Sequence, residues 1–129
     1  MSAPIKTRKI WIGRYLMVIA ALHTIVALLL YGPVFMGMLE RGVFNTVNRD
    51  PLRSAAIWFL LFGGPLLLLG MNINNMERKR DFTEAGTMGL GILICCLFGL
   101  VLMPVSGFWL VIPAAIALMN RRSNQRPAL

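Results

Sequence analysis

Apolar residues fall into four long runs, at about residues 10–31, 52–73, 82–103 and 105–119, with charged or polar stretches between most of them. A hydrocarbon core of about 30 Å is crossed by roughly 20 apolar helical residues. The first three runs meet that length. The fourth is short, so it stands with little tilt or under a locally thinned bilayer. The pattern predicts an all-α fold: a single integral membrane domain over residues 1–129, built as a four-helix transmembrane bundle.

Chemical markers sharpen the boundaries. Asp50-Pro51 reads as an N-cap followed by proline at the first helical position. Asp81-Phe82-Thr83-Glu84 resembles a capping box opening the third helix. Met103-Pro104 ends that helix and starts a tight turn, so the last two helices form an antiparallel hairpin. Between the first two helices, residues 32–50 mix Val34, Phe35, Met36, Met38, Leu39, Val43, Phe44 and Val47 with Glu40 and Arg41. This stretch is expected to be an outer loop, or a short interfacial helix folded back onto the membrane surface or over the bundle.

Composition supports a lipid solvent. The chain is 57% hydrophobic and 14% charged, with a mean hydropathy of +0.71. Soluble chains are about 45–50% apolar and about 25% charged. The net charge of +8 would suggest nucleic acid in a soluble protein. Here the basic residues sit in clusters with no stripe of interleaved aromatics, so no nucleic-acid partner is expected. Lys6, Arg8, Lys9 and Arg14 precede or open the first helix; Arg78, Lys79 and Arg80 lie between the second and third; Arg121, Arg122 and Arg126 follow the fourth. The loop after the first helix holds Arg41, Arg49 and Arg53, and the turn after the third holds none. The positive-inside rule then places both termini in the cytoplasm. The first run is too long for a signal-peptide core and no A-x-A site follows, so it is expected to stay as a helix.

Candidate chemistry is sparse. His23 is the only histidine and lies near the middle of the first helix, where an ionisable group is a functional candidate. The plainer reading is an imidazole hydrogen-bonded to a neighbouring helix. A haem or metal would need more ligands than one histidine offers, so no cofactor is expected. Arg14, nine positions earlier, falls on the opposite helical face and snorkels to the headgroups or meets an anionic group there. The five acids, Glu40, Asp50, Glu77, Asp81 and Glu84, all lie in or beside loops. That argues against a carrier built on a membrane-buried carboxylate.

Cys95 and Cys96 are adjacent, form no C-x-x-C pair, and read as packing residues more readily than as a redox site. Gly91, Cys95 and Gly99 form a small-xxx-small stripe, and Gly13, Ala20 and Ala27 a second one at seven-residue spacing. Gly63-Gly64-Pro65 and Pro113 mark kinks that either shape the bundle or hinge it. The densest polar set is the outer loop: Asn45, Thr46, Asn48, Arg49, Asp50 and Arg53, followed by Trp58. Arg49, Asp50 and Arg53 could pair at the mouth of the bundle, where a polar rim above an apolar interior suits an amphiphile. They could equally be a helix cap and interfacial anchors.

Three stretches carry a family resemblance. They are Gly13-Arg14-Tyr15 leading to His23 and Thr24; Gly42-Val43-Phe44-Asn45-Thr46-Val47 with Asp50-Pro51 and Ala56-Ile57-Trp58-Phe59; and Met103-Pro104-Val105-Ser106-Gly107-Phe108-Trp109. Together they resemble an uncharacterised family of small bacterial four-helix inner-membrane proteins, loosely DoxX-like. The resemblance implies a compact bundle in a bacterial inner membrane and no particular reaction. The leading expectation is a non-enzymatic protein that binds a hydrophobic or amphiphilic ligand, or a larger membrane partner. Its site residues would be His23, Asn45, Arg49, Asp50, Arg53 and Trp58. The alternatives are a homo-oligomeric small-molecule transporter or permeability factor and, behind it, a membrane enzyme using His23 or the thiols.

Overall fold

A computed structural model describes residues 9–123, with side chains through Arg121. Lys6, Arg8 and Arg126 lie outside the described residues. Four helices follow in order: α1 (Ile12–Glu40), α2 (Pro51–Lys79), α3 (Ala85–Leu102) and α4 (Phe108–Ser123). No strand occurs among the described residues. Helices α1, α2 and α3 are long and apolar enough to cross a membrane, and α4 is shorter.

The helices form two antiparallel hairpins, α1–α2 and α3–α4, which meet where α1 packs on α4. Among the described residues, α2 and α3 do not approach each other closely. The order in space is therefore α2, α1, α4, α3. The shared core is Ile12, Leu16, Ile19 and Ala20 of α1, Leu66 and Ile73 of α2, Phe82, Ala85 of α3, and Ala114 and Leu118 of α4.

Glycine sets the α1–α2 register. A Cβ added at Gly63 would meet Thr24 Oγ1 at 2.6 Å, one at Gly70 would meet Met17 N at 2.9 Å, and one at Gly13 would overlap the backbone of Asn74. In all three contacts the residue numbers add to 87. Backbones this close gain dispersion energy without needing a hydrophobic driving force, which lipid does not supply between helices. Gly13, Ala20 and Ala27 are buried, as their seven-residue spacing predicted.

That register corrects the expected end of the first helix. Pro51 pairs with the level of residue 36, so α1 must run past Pro33 to cover the first turns of α2. It continues to Glu40, and the connection is a ten-residue loop over 41–50 rather than a helix folded back on the membrane. Pro33 removes one backbone donor without ending the helix. The remaining ends move as well: α2 runs on to Lys79, α3 starts at Ala85, and α4 is displaced to Phe108–Ser123.

The N-cap role of Asp50 is as expected: its carboxylate accepts from the amides of Leu52 (2.9 Å) and Arg53 (3.2 Å). The capping box at α3 does not form. Asp81 Oδ1 instead accepts from Thr83 Oγ1 (2.7 Å) and its amide (3.2 Å), which holds this carboxyl below its ordinary range, while Glu84 occupies the α3 cap without a side-chain bond. The α3 stripe also differs. Cys95 is exposed and Gly91 has open space around it, whereas Ala85, Gly89, Cys96 and Gly99 form the buried face. Gly89 lies against the Ala115 carbonyl and Met119, and Gly99 against the Phe108 ring.

Candidate functional site at the His23 level

Two polar clusters stand out, one at the end near the chain termini and one at the depth of His23. The terminal cluster is built on Glu77, in the last turn of α2. Trp11, the N-cap residue of α1, offers no side-chain oxygen, and the first turn of α1 contains no acid. The unpaired amides at that helix start need an acceptor from elsewhere. Glu77 supplies it: Oε1 accepts from Trp11 N (3.3 Å) and Oε2 from Gly13 N (3.0 Å). The positive end of the α1 dipole favours a carboxylate there.

Arg121 of α4 completes the cluster. Its guanidinium lies 3.6 Å from Glu77 Oε1, donates to the Lys9 carbonyl (2.6 Å) and sits over the Phe82 ring. Glu77 and Arg121 are only 3% and 8% exposed. The cluster joins α1, α2 and α4 and reads as a fastening. Sequence reading placed Arg121 only as a topology charge and Glu77 only as a loop acid. The signal was available: the buried face of α2 runs Ala56, Gly63, Leu66, Gly70 and Ile73, and the next step of that heptad rhythm is Glu77.

The second cluster surrounds His23, eleven residues into α1, or about 16 Å from its start at 1.5 Å per residue. A hydrocarbon core of about 30 Å that began at the first turn of α1 would place His23 near mid-depth. The imidazole stacks on Phe59 (centroids 4.3 Å apart, planes at 20°) and meets the edge of Phe62 at 5.6 Å. Its Nε2 lies 2.7 Å from the Phe59 carbonyl oxygen. A carbonyl can only accept, so Nε2 carries the proton. The bond lies across the α1–α2 interface, as the plainer reading of His23 required. The carbonyl is not one freed by a helix proline, which would be Leu61 for Pro65 or Trp109 for Pro113.

Thr24, next to His23, also uses its hydrogen on backbone: Oγ1 donates to the Ala20 carbonyl at 3.0 Å. Both side chains border Gly63, whose added Cβ would lie 2.6 Å from Thr24 Oγ1 and 3.6 Å from His23 Cδ2. Thr24, Phe59 and Gly63 were not among the expected site residues. Only the packing of α2 brings them to His23.

One face of this cluster is uncovered. Steps of seven along α1 return to nearly the same side. In one such row Ile12 and Ile19 are 0% and 7% exposed, but Val26 is 41% exposed; in the neighbouring row Leu16 is 0% exposed, His23 half-buried and Leu30 64% exposed. Cover is lost because α4 begins only at Phe108. Tyr15 of α1 already reaches its first turn, donating to the Leu110 carbonyl at 2.6 Å. Beyond the α3–α4 turn, Val26, Leu30 and Phe62 are exposed beside the half-buried His23, an uncovered apolar strip of the α1–α2 hairpin termed the His23 notch.

The remaining expected residues lie elsewhere. From the first turn of α2, Arg53 pairs with Asp50 (Nε to Oδ2, 3.3 Å) and donates to the Thr46 carbonyl of the 41–50 loop at 2.8 Å. Arg49 takes no part in that pair and sits at positive φ, as do Asn45 and Asn48. Asn45 is exposed at the loop surface, and Trp58 is largely exposed on the outside of α2. The loop is a braced cap for α2, and the structure does not bring it together with His23 into one site. Among the described residues no cluster of His, Cys, Asp and Glu could hold a metal ion.

Four mainly apolar helices, three of them long and apolar enough to cross a membrane, fit a small membrane protein. The chain belongs to a family of unknown function (DUF6463), whose profile matches residues 7–125. No curated protein and no solved structure matches it.

Proposed function

We propose that this protein binds a mainly apolar or amphiphilic molecule within the membrane, in the notch beside His23, and does no chemistry on it. The observation that carries this reading is His23, a half-buried imidazole with one ring nitrogen unbonded, beside a helix face that α4 leaves open. A polar group in hydrocarbon is costly without a partner, and such groups mark binding sites and pathways. Aromatic side chains with few polar atoms are also the usual lining of a small-molecule site.

The test uses a long-chain alcohol carrying an alkyl diazirine. His23→Gln keeps a donor for the Phe59 carbonyl, so it is expected to cost only about 1 kcal/mol of stability, in line with intramembrane hydrogen bonds. It loses the flat ring that stacks on Phe59, so photolabelling of the α1 and α2 peptides around His23 and Phe62 should fall several-fold. Unchanged labelling of the folded variant would remove His23 from the site.

The membrane we propose is a bacterial cytoplasmic one, with both termini inside, as the basic clusters at Lys9, Arg14, Arg78 and Lys79 support. In a cysteine-free background, a cysteine at exposed Asn45 should react with an impermeant maleimide from outside, and one at exposed Thr83 should not. The opposite labelling would invert the orientation. Lipid is the solvent partner in this reading.

A further inference from the structure

Resting on that reading, we infer that the His23 notch selects molecules that present a hydrogen-bond donor, such as a phenol, a quinol or a long-chain alcohol, over acceptor-only analogues. The imidazole Nε2–H is committed to the Phe59 carbonyl and the Thr24 hydroxyl hydrogen to the Ala20 carbonyl. Thr24 Oγ1 faces Gly63 inside the α1–α2 interface, so what the open side retains is the lone pair on His23 Nδ1, the ring edge opposite the Cδ2 that borders Gly63. No hydrogen bond to Nδ1 forms among the described residues, and Nδ1 is not among their sealed, unpartnered atoms. The site therefore accepts and does not donate.

Reversing these roles is unfavourable. Turning Nε2 into an acceptor would set its lone pair against the Phe59 carbonyl oxygen at 2.7 Å. A bound quinone, ether or ketone brings only acceptors and leaves Nδ1 unpaired in hydrocarbon, whereas a hydroxyl donates to it. A site with fixed hydrogen-bond polarity discriminates chiefly by what it leaves unpaired. The rest of the ligand would be apolar, because the exposed side chains around His23, Val26, Leu30 and Phe62, are apolar.

The experiment uses a matched pair: an alkylphenol and its methyl ether, with the same chain, titrated into protein in nanodiscs. The single histidine, labelled with 15N, gives one Nδ1 and one Nε2 resonance to follow. Binding of the phenol should be about three- to ten-fold tighter than that of the ether, the range of one net hydrogen bond. The phenol should move the Nδ1 resonance and leave Nε2 protonated. His23→Phe should remove the preference, with folding checked by the unchanged helical spectrum. Equal affinity for the two compounds would overturn donor selection and leave ligand binding standing. Binding of neither to folded protein would overturn both.

Discussion

Replacing Arg121 with methionine is expected to destabilise the protein by about 3–5 kcal/mol, the range for stranding one partner of a buried ion pair. The variant leaves the Glu77 carboxylate, 3% exposed, with only the Trp11 and Gly13 amides to stabilise it. It also removes the donor to the Lys9 carbonyl that ties α4 to the start of α1. Pairing the change with Glu77→Gln should recover part of the loss. The amide oxygen still accepts from one of the two α1 amides, and no charge is left buried. Denaturant titration in mixed micelles checks this. A single-variant cost below about 1 kcal/mol, the value of exposed pairs, would show that the cluster is solvated and fastens nothing.

The second large effect is expected at Gly13. In Gly13→Ala the new methyl would overlap backbone atoms of Asn74, and backbone cannot rotate aside as a side chain can. The α1 and α2 helices must separate along the 13, 70 and 63 contacts, at a cost of about 3 kcal/mol or more, the upper part of the overpacking range. Gly91→Ala is the control. Its Cβ meets nothing within 4 Å, so the change should be neutral or stabilise α3 by up to about 1 kcal/mol. Thermal unfolding of the two variants side by side should separate them clearly. Equal behaviour would mean that the α1–α2 register is set by something other than these glycines.

The number of helices, their apolar character and the hairpin at Met103-Pro104 were legible in the sequence, because lipid imposes length and composition directly on each segment. The Asp50 cap was legible for the same local reason: its partners, the Leu52 and Arg53 amides, are two and three residues away. What was not legible depended on distant pairs. The end of α1 at Glu40 follows from the register with α2, which rests on three contacts between residues 39 to 61 positions apart. The choice of Cys96 over Cys95 for the buried face of α3 depends on which side α4 packs. The same applies to the site. His23 was visible as the lone mid-helix imidazole, but its carbonyl partner on Phe59 and the early end of cover by α4 required the fold. Glu77 looked like a loop acid because its charge neighbours are basic, and only the α1 start it caps reveals its role.

The occupancy of the His23 notch is tested most directly by native mass spectrometry of the protein released from vesicles of the membrane in which it is expressed, without added detergent exchange. The wild type is predicted to carry a mainly apolar, hydroxyl-bearing adduct that survives activation longer than the bulk phospholipids. His23→Phe, which keeps the ring and loses both nitrogens, should emerge without it. The same adduct on both proteins, or none beyond phospholipid on the wild type, would contradict the assignment of a ligand to this notch.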